Sequence, residues 1–572
     1  MRKKFLFIIV LSLFCLTSLP VLAQKKGDVL NFFVDPEYDL FGREEISAKL
    51  IKISDYAYFY VENDWFSKLD SSKKNNVRKG IRNLAKEFDN KIYPVLTSVY
   101  GKEWSPGIDN DRKITVLMHQ LRGKAKGYFS TKDEYSRFQN PFSNEREMVY
   151  LDVSTALDPL APSFLSHEFT HLITFNQKER KRGISEEVWL NEARAEYSPT
   201  LCGYNSTYKG SYLESRVKEF LRNPQDSITE WKGKAEDYGA LTVFVHYLVE
   251  HYGVEILADS LHSSKKGIDS LNYALLKNHF NKSFSQIFTD WAIAVLVNDC
   301  SLGERYCFRT PGLENLKIVP SYNYLPPSYQ STLTVYGSTK NWSGKWQKII
   351  GGSNSLTFNF ISDNEVPFTL PYVLCRNDNK CTIGYIFLDD NYQGEKIIPN
   401  FGKEYKSLTI IPLLENKFSD FTDNEESFRF HWVVKSSYIS PSPNEKALIE
   451  ALLKKIEQLK KQIALAKARL NFLLAQKKKQ ITCGKFTRDL YYGLRNDNDV
   501  YCLQKFLKEQ GKEIYPEGLL TGNFLYLTKR AVIRFQEKYK KEILSPLGLS
   551  KGTGYFGPLS RKLANKIISG TK

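Results

Sequence analysis

The apolar and polar positions of this chain change period several times, and each change marks a different kind of structure. From residue 25 to about 165 two periods mix. Ala57-Tyr58-Phe59-Tyr60-Val61, Lys113-Ile114-Thr115-Val116-Leu117 and Met148-Val149-Tyr150-Leu151-Asp152 predict strands, and Lys73 to Tyr100 has helical spacing. From about 163 to 300 the helical period dominates, with apolar residues three and four apart in Leu241 to Tyr252 and Phe284 to Val297. Near Pro311 the pattern turns to alternation, in stretches beginning at Leu333, Leu356, Thr382, Leu408 and Phe428. Short alternating strands with turn residues between them predict an all-β sandwich up to about Ser440.

Pro441-Ser442-Pro443 reads as a linker, and a heptad follows. Ile449, Ile456, Ile463 and Leu470 take one seam position; Leu452, Leu459, Ala466 and Leu473 take the other. Ile at a with Leu at d favours a parallel two-stranded coiled coil, so a homodimer is one reading. A single semi-rigid helical spacer of roughly 40 Å is the other, and the many Lys residues near the seam favour it by repulsion. A small domain runs from 481 to 572. The expected layout is therefore multidomain: a leader over 1–23, an α+β domain over 24–310, a β-sandwich over 311–440, a helical or coiled-coil linker over 441–480 and a small three-helix domain over 481–572.

Arg2, Lys3 and Lys4, the apolar run Phe5 to Leu19 and the small-residue site Val21-Leu22-Ala23 match a secretory signal peptide, with an uncleaved anchor as the alternative. Seven cysteines remain after Cys15. Cys300 with Cys307, Cys375 with Cys381 and Cys483 with Cys502 suggest three short disulfides in an exported protein, leaving Cys202 alone. None has the spacing of a structural zinc site. The net charge is +17, and +7 of it falls between Asn444 and Gln480, where ten Lys or Arg face three Glu. No nucleic-acid motif accompanies this charge, so an anionic cell wall, or solubility alone, explains it better.

The chemistry-bearing motif is Ser166-His167-Glu168-Phe169-Thr170-His171-Leu172. In H-E-x-x-H on a helix, the two imidazoles share a face and can meet one metal, while the Glu stands ready to take a proton from water. Composition alone produces the motif in on the order of one per cent of such chains, so the downstream residues matter. Trp189-Leu190-Asn191-Glu192-Ala193-Arg194-Ala195-Glu196-Tyr197 places Glu192 twenty-one residues past His171. A catalytic zinc takes three protein ligands and keeps one position open. Glu192 supplies the third, and Glu196, one turn on, can accept the second N–H of a ligand His. The loops Asp109-Asn110-Asp111 and Ser143-Asn144-Glu145 offer oxygens to a structural Ca2+, though not with EF-hand spacing; simple turns are the alternative.

The H-E-x-x-H and N-E-x-x-x-E pair resembles the gluzincin superfamily of metallopeptidases. That resemblance implies a zincin domain with the motif on its active-site helix, Zn2+ held by His167, His171 and Glu192, Glu168 as general base and Glu196 behind the ligands. Trp104-Ser-Pro-Gly-Ile-Asp-Asn-Asp, Gly127-Tyr-Phe and Ser143-Asn-Glu-Arg-Glu-Met-Val-Tyr-Leu-Asp resemble the hyicolysin-like secreted bacterial peptidases. The interval from Tyr238 to Gly253 is similar to a helix in related gluzincins whose leading Tyr faces the oxyanion, which implies Tyr238 as transition-state stabiliser; a buried helix residue is the alternative. His246 and His251, on the same stretch, read as core or surface residues. The G-x-M-E-N segment of related aminopeptidases is missing, because the only methionines are Met1, Met118 and Met148. An endopeptidase is expected.

Asp499-Val500, Leu503-Gln504, Thr521-Gly522-Asn523-Phe524, Phe535-Gln536 and Gly554-Tyr555-Phe556-Gly557-Pro558 resemble a three-helix peptidoglycan-binding domain, with a longer insertion around Ser545 to Gly552. The expectation is a bacterial, secreted, wall-associated zinc endopeptidase acting on proteins or peptides, with peptidoglycan as a partner. A murein cross-link hydrolase and a non-catalytic wall-binding adhesin are the competing readings.

Overall fold

The computed structural model describes residues 24–326, 330–415, 425–436, 450–464, 466–467 and 483–570. The leader at 1–23, the Pro441–Pro443 linker and the seam residues Ile449, Leu470 and Leu473 lie outside the described residues. The chain divides into two compact units, Met1–Ser440 and Pro441–Lys572. Helices and several sheets make it a multidomain α+β protein.

The first unit opens with six strands, β1 (Val29–Phe33), β2 (Glu45–Ile53), β3 (Ala57–Glu62), β4 (Ile114–His119), β5 (Gly127–Tyr128) and β6 (Met148–Asp152). They lie in the order β1-β2-β3-β4-β6-β5. β3, β4 and β6 run parallel, and β5 is antiparallel to β6 at the edge. Every residue of β3 and β4 is buried, as expected of parallel strands covered on both faces. Helices α1 (Asn63–Ser67), α2 (Ser71–Glu87) and α3 (Tyr93–Tyr100) follow β3, with a wider π-helical turn at Phe88–Ile92 joining the last two. The Asp70 side chain accepts from Lys73 N and caps α2.

Next come α4 (Ala161–Thr174), α5 (Val188–Leu201), α6 (Tyr212–Arg222), α7 (Ala235–Tyr252), α8 (Glu255–Leu261), α9 (Gly267–Lys277) and α10 (Phe284–Val297). α4 is buried over nearly its whole length, so its polar residues must find partners inside the protein. Gly253, with φ of 84°, ends α7 where a side chain would strain.

Two larger sheets and the two-stranded pair Ser343–Gly344 with Leu413–Leu414 complete this unit. One sets Cys381–Ile386, Leu370–Arg376, Tyr405–Ile410, Gln347–Gly351 and Ser321–Leu325 side by side; the other sets Gln393–Ile398, Leu356–Ser362, Ser427–Ser436 and Ser331–Lys340. Ile349, Phe358, Phe360, Leu408, Phe430 and Trp432 share their core. Trp342, Trp346 and Leu413 belong instead to the larger core of α4 to α10, where Trp342 packs on Phe284 and Trp346 Nε1 donates to Ala292 O at 2.8 Å. Residues 24–310 and 311–440 therefore share apolar contacts.

In the second unit, residues 450–464 are helical and exposed, and Leu452, Ile456, Leu459 and Ile463 on the predicted seam face solvent. Helices Asn498–Glu509, Tyr526–Lys538 and Pro558–Gly570 enclose a core of Leu503, Phe506, Phe535 and Phe556. Two buried glutamines act alike. Gln504 accepts from Thr521 N and Gly522 N and donates to Thr528; Gln536 accepts from Thr553 N and Gly554 N and donates to Ser560. The T-G-N-F and T-G-Y-F stretches are thus a repeated loop stapled by an amide. The disulfides are Cys300–Cys307, Cys375–Cys381 and Cys483–Cys502, with Cys202 free and buried.

Glu415 carries a titratable charge into the seam between α10 and the β layers. Its carboxylate accepts from Thr289 and from Thr369 Oγ1, and burial pushes its pKa up to about 7. A raised acid favours the protonated folded state, so its penalty grows as pH rises from the unfolded value near 4.5 through 7. Glu415→Gln should therefore stabilise the protein at pH 8 by on the order of 2 kcal/mol and leave it nearly unchanged at pH 4. Thermal melts of both proteins across that range measure the difference.

Candidate active site

His167, Glu168 and His171 stand on α4, and Glu192 and Glu196 on α5. The four-residue step turns both imidazoles to one side, with their Nε2 atoms 3.2 Å apart. Glu192 places Oε2 3.3 Å from His167 Nε2 and Oε1 3.7 Å from His171 Nε2. The ligand atoms of these three residues lie within 4.8 Å of one another, the one such metal-competent group found among the described residues.

The other ring nitrogens fix the tautomers. His171 Nδ1 faces Asn191 Oδ1 at 3.1 Å, and His167 Nδ1 faces Glu196 Oε1 at 3.3 Å. An oxygen acceptor beside each Nδ1 favours the proton there, which is the tautomer that leaves both Nε2 lone pairs for a metal. Two lone pairs and a carboxylate converge in a buried place, and Glu192 Oε2 has no hydrogen-bond partner there. A cation relieves that repulsion. Two imidazoles and one carboxylate are a donor set suited to catalytic zinc.

No family model matches the chain. It is 24% identical over 277 residues to the neutral metalloprotease ShpI of Staphylococcus hyicus. The chain resembles a metalloprotease. The match covers 44% of this chain and 58% of that protein, so the chain spans a little over half of its relative's length. Among solved structures, the pre-peptidase C-terminal domain of a Bacillus anthracis collagenase is 10% identical, with a TM-score of 0.15, over 20% of this chain and 97% of that one. The periplasmic lysozyme inhibitor PliG of Aeromonas hydrophila is 9% identical, with a TM-score of 0.14, over 21% of this chain and 100% of its own. Likeness this weak carries no argument about the site.

Glu168 is buried beside the metal-competent group. Burial raises its carboxyl to about 8; His167 opposes the rise, and Glu192 and Glu196 add to it. Gly127 of β5 sits against it: a Cβ there would fall 2.7 Å from Glu168 Oε1 and 2.8 Å from Tyr150 O. The glycine is required by this close approach. Tyr238, in the first turn of α7, has its ring 6.4 Å from that of His167. Burial first, then the charges of Glu192 and Glu196, raise its hydroxyl pKa, so it remains a proton donor. The residues expected from sequence are thus brought together. His246 is a core residue held by Thr200 and Thr242 O, and His251 faces Cys307 O.

Sequence reasoning missed several members. Asn191 was inside the quoted motif, and its role follows from standing one residue before a metal ligand. Tyr212, Arg216 and Thr242, which all bond Glu196, carry no local signal because they arrive from α6 and α7. Tyr38 feels the charges of Glu168 and Glu192 and stacks on Tyr128 at 4.6 Å; its position depends on the loop before β2.

Orientation of a ligand His by its outer partner contributes about 10- to 100-fold in metal affinity. Asn191→Ala should weaken zinc binding by that factor while the far-ultraviolet circular dichroism stays unchanged. Competition with a chromogenic chelator reads the affinity.

Proposed function

We propose that this chain is an exported zinc-dependent endopeptidase that its C-terminal unit addresses to the peptidoglycan wall. The observation that carries the reading is the convergence of His167 Nε2, His171 Nε2 and the Glu192 carboxylate beside Glu168. The likeness to ShpI supports a peptidase among the chemistries open to such a group. The leader-like N-terminus and three disulfides support export. The quoted C-terminal motifs and the three-helix core built around them support the wall address.

His167, His171 and Glu192 would hold the zinc, which when bound supplies Lewis-acid polarisation to a substrate carbonyl and an attacking water. Glu168 accepts the water proton on its carboxylate and passes it to the departing amine nitrogen, so one group serves as base and then as acid. Tyr238 donates its hydroxyl proton as a hydrogen bond to the oxygen that gains charge. The edge strand β5 offers unpaired backbone beside Glu168, and an extended substrate can add to it as a further strand. That mode reads backbone and accepts a chain that continues in both directions, as an endopeptidase requires.

Glu168→Gln should retain one zinc per chain and lose casein hydrolysis by more than 10³-fold, since it removes proton transfer without removing a ligand. Zinc analysis beside a casein assay checks both halves. Hydrolysis persisting in the variant would sink the assignment, and zinc with no wild-type casein cleavage would move the substrate to the peptide cross-links of purified peptidoglycan. Tyr238→Phe should lower kcat by about 10²-fold with little change in KM, read from steady-state kinetics on a peptide substrate.

A further inference from the structure

We propose that Tyr38 limits the substrate to a small side chain (glycine, alanine or serine) at the residue that pairs with Tyr128, an inference that rests on the reading of β5 as the edge to which an extended substrate adds. Successive side chains of a strand point to opposite faces of its sheet. Gly127 faces α4, where its Cβ would fall 2.7 Å from Glu168 Oε1. Phe129 faces the same way, with its ring 6.5 Å from that of His171. Tyr128, between them, points to the opposite face. There it lies on Tyr150, its partner across the ladder from β5 to β6, with ring centroids 4.1 Å apart and planes 6° apart.

Tyr38 stacks on the same ring at 4.6 Å, with planes 14° apart. Two nearly parallel rings cannot share one face of Tyr128 at these distances, so Tyr38 covers the face away from Tyr150. The column of Tyr150, Tyr128 and Tyr38 thus steps across the sheet by 4.1 and then 4.6 Å. Those steps are close to the spacing of about 4.7–4.9 Å between neighbouring strands. Tyr38 therefore stands in the slot where a residue of the added strand, paired with Tyr128, would set its side chain. Its 43% exposure is that of a group on an open sheet edge. Glu168 and Glu192 act on its hydroxyl, as expected at the mouth of the metal-competent trio.

The loop before β2 holds Tyr38 in that slot by its backbone. Tyr38 N donates to Asp35 O at 3.0 Å, and Arg122 N donates to Tyr38 O at 2.7 Å. Asp39, the next residue, is fully buried: His119 Nδ1 lies 3.3 Å from its carboxylate, and Phe41 N and Arg43 Nε donate to it. A ring fixed at its backbone and stacked on one face gives way poorly to an incoming side chain. Glycine, alanine or serine passes over it. Leucine or phenylalanine would meet filled space, and overpacking of that kind lowers kcat/KM by about 10- to 100-fold. Discrimination here comes from a clash built against the wrong substrate.

The test is digestion of denatured casein by the zinc-loaded full chain, with the cleavage sites mapped by mass spectrometry. One position within about two residues of the scissile bond should be confined to glycine, alanine and serine, because Tyr128 adjoins the glycine that abuts Glu168. A peptide with leucine in place of alanine there should lose about 10- to 100-fold in kcat/KM. Tyr38→Ala should cut that discrimination to about threefold or less and admit large residues at this position alone. Tyr38→Phe, which keeps the ring, should retain the discrimination; Tyr38→Ser replaces the alanine variant if that one folds poorly. A wild-type profile with no such position, a profile that favours aromatic residues there, or an alanine variant that discriminates as wild type does overturns the proposal. Wild-type protein that holds zinc and cleaves no protein overturns the peptidase reading itself, and this inference with it.

Discussion

One buried carboxylate organises the helical half of this protein. Glu196 is fully enclosed, and four residues from three helices reach it: Tyr212 Oη at 2.6 Å and Arg216 Nε and Nη2 at 2.9 Å from α6, Thr242 Oγ1 at 2.7 Å from α7, and His167 Nδ1 at 3.3 Å from α4. Burial alone would protonate it, but the Arg216 guanidinium outweighs that and holds its pKa well below the usual carboxylate range. An ionised Glu196 requires Nδ1 of His167 to carry the proton, which turns the Nε2 lone pair toward Glu192. Without Arg216 the carboxylate would be uncompensated, and breaking a buried pair in this way is strongly destabilising. The same guanidinium lies over the Tyr238 ring at 4.4 Å. One cation therefore contacts groups on both sides of the metal-competent trio.

The sheets that follow α10 bear on this site through Tyr238. The segment leading into α7 is held by them: Ile228 N donates to Trp342 O at 3.0 Å, Ser227 Oγ to Asn341 O at 2.6 Å, and Lys340 Nζ to Glu230 at 2.6 Å. Asp237 then accepts from Lys232 N and Lys234 N, closing the turn, and Trp231 stands edge-on to Tyr238 at 4.7 Å. A long loop that must present a hydroxyl accurately needs such bracing, because loops of this length are otherwise free to move. The β layers are a structural buttress for α7, whatever else they bind.

How much of this was legible in the sequence depends on the range of the interaction. β6 over Met148–Asp152 and α10 over Phe284–Val297 were readable because period and length are local properties. His167, Glu168, His171, Glu192 and Glu196 were readable because helical spacing converts sequence distance into a shared face. The close cysteine pairs were readable for the same reason. Arg216, Tyr212 and Thr242 were not, since their roles arise only when α6 and α7 fold against α5. The sharing of Trp342 and Trp346 with the helical core was hidden too: each is an apolar residue in a strand region, and nothing local says which core it enters.

The two ligand histidines are held by unlike partners, and the charge balance explains the consequence. His171 is oriented by the neutral amide of Asn191, and His167 by an ionised carboxylate. The carboxylate makes His167 the more basic donor of the two. With Glu168, Glu192 and Glu196 ionised against Arg216 and both imidazoles neutral, the protonation state that would receive a metal carries a charge of −2. A divalent ion brings it to zero, which a buried site strongly favours. That added charge also acts on Glu168. Its pKa near 8 reflects burial and two neighbouring carboxylates; a dication among those carboxylates cancels their repulsion and lowers it. The donor set that suits a metal would thus also favour the ionised form of Glu168, the form that proton abstraction requires.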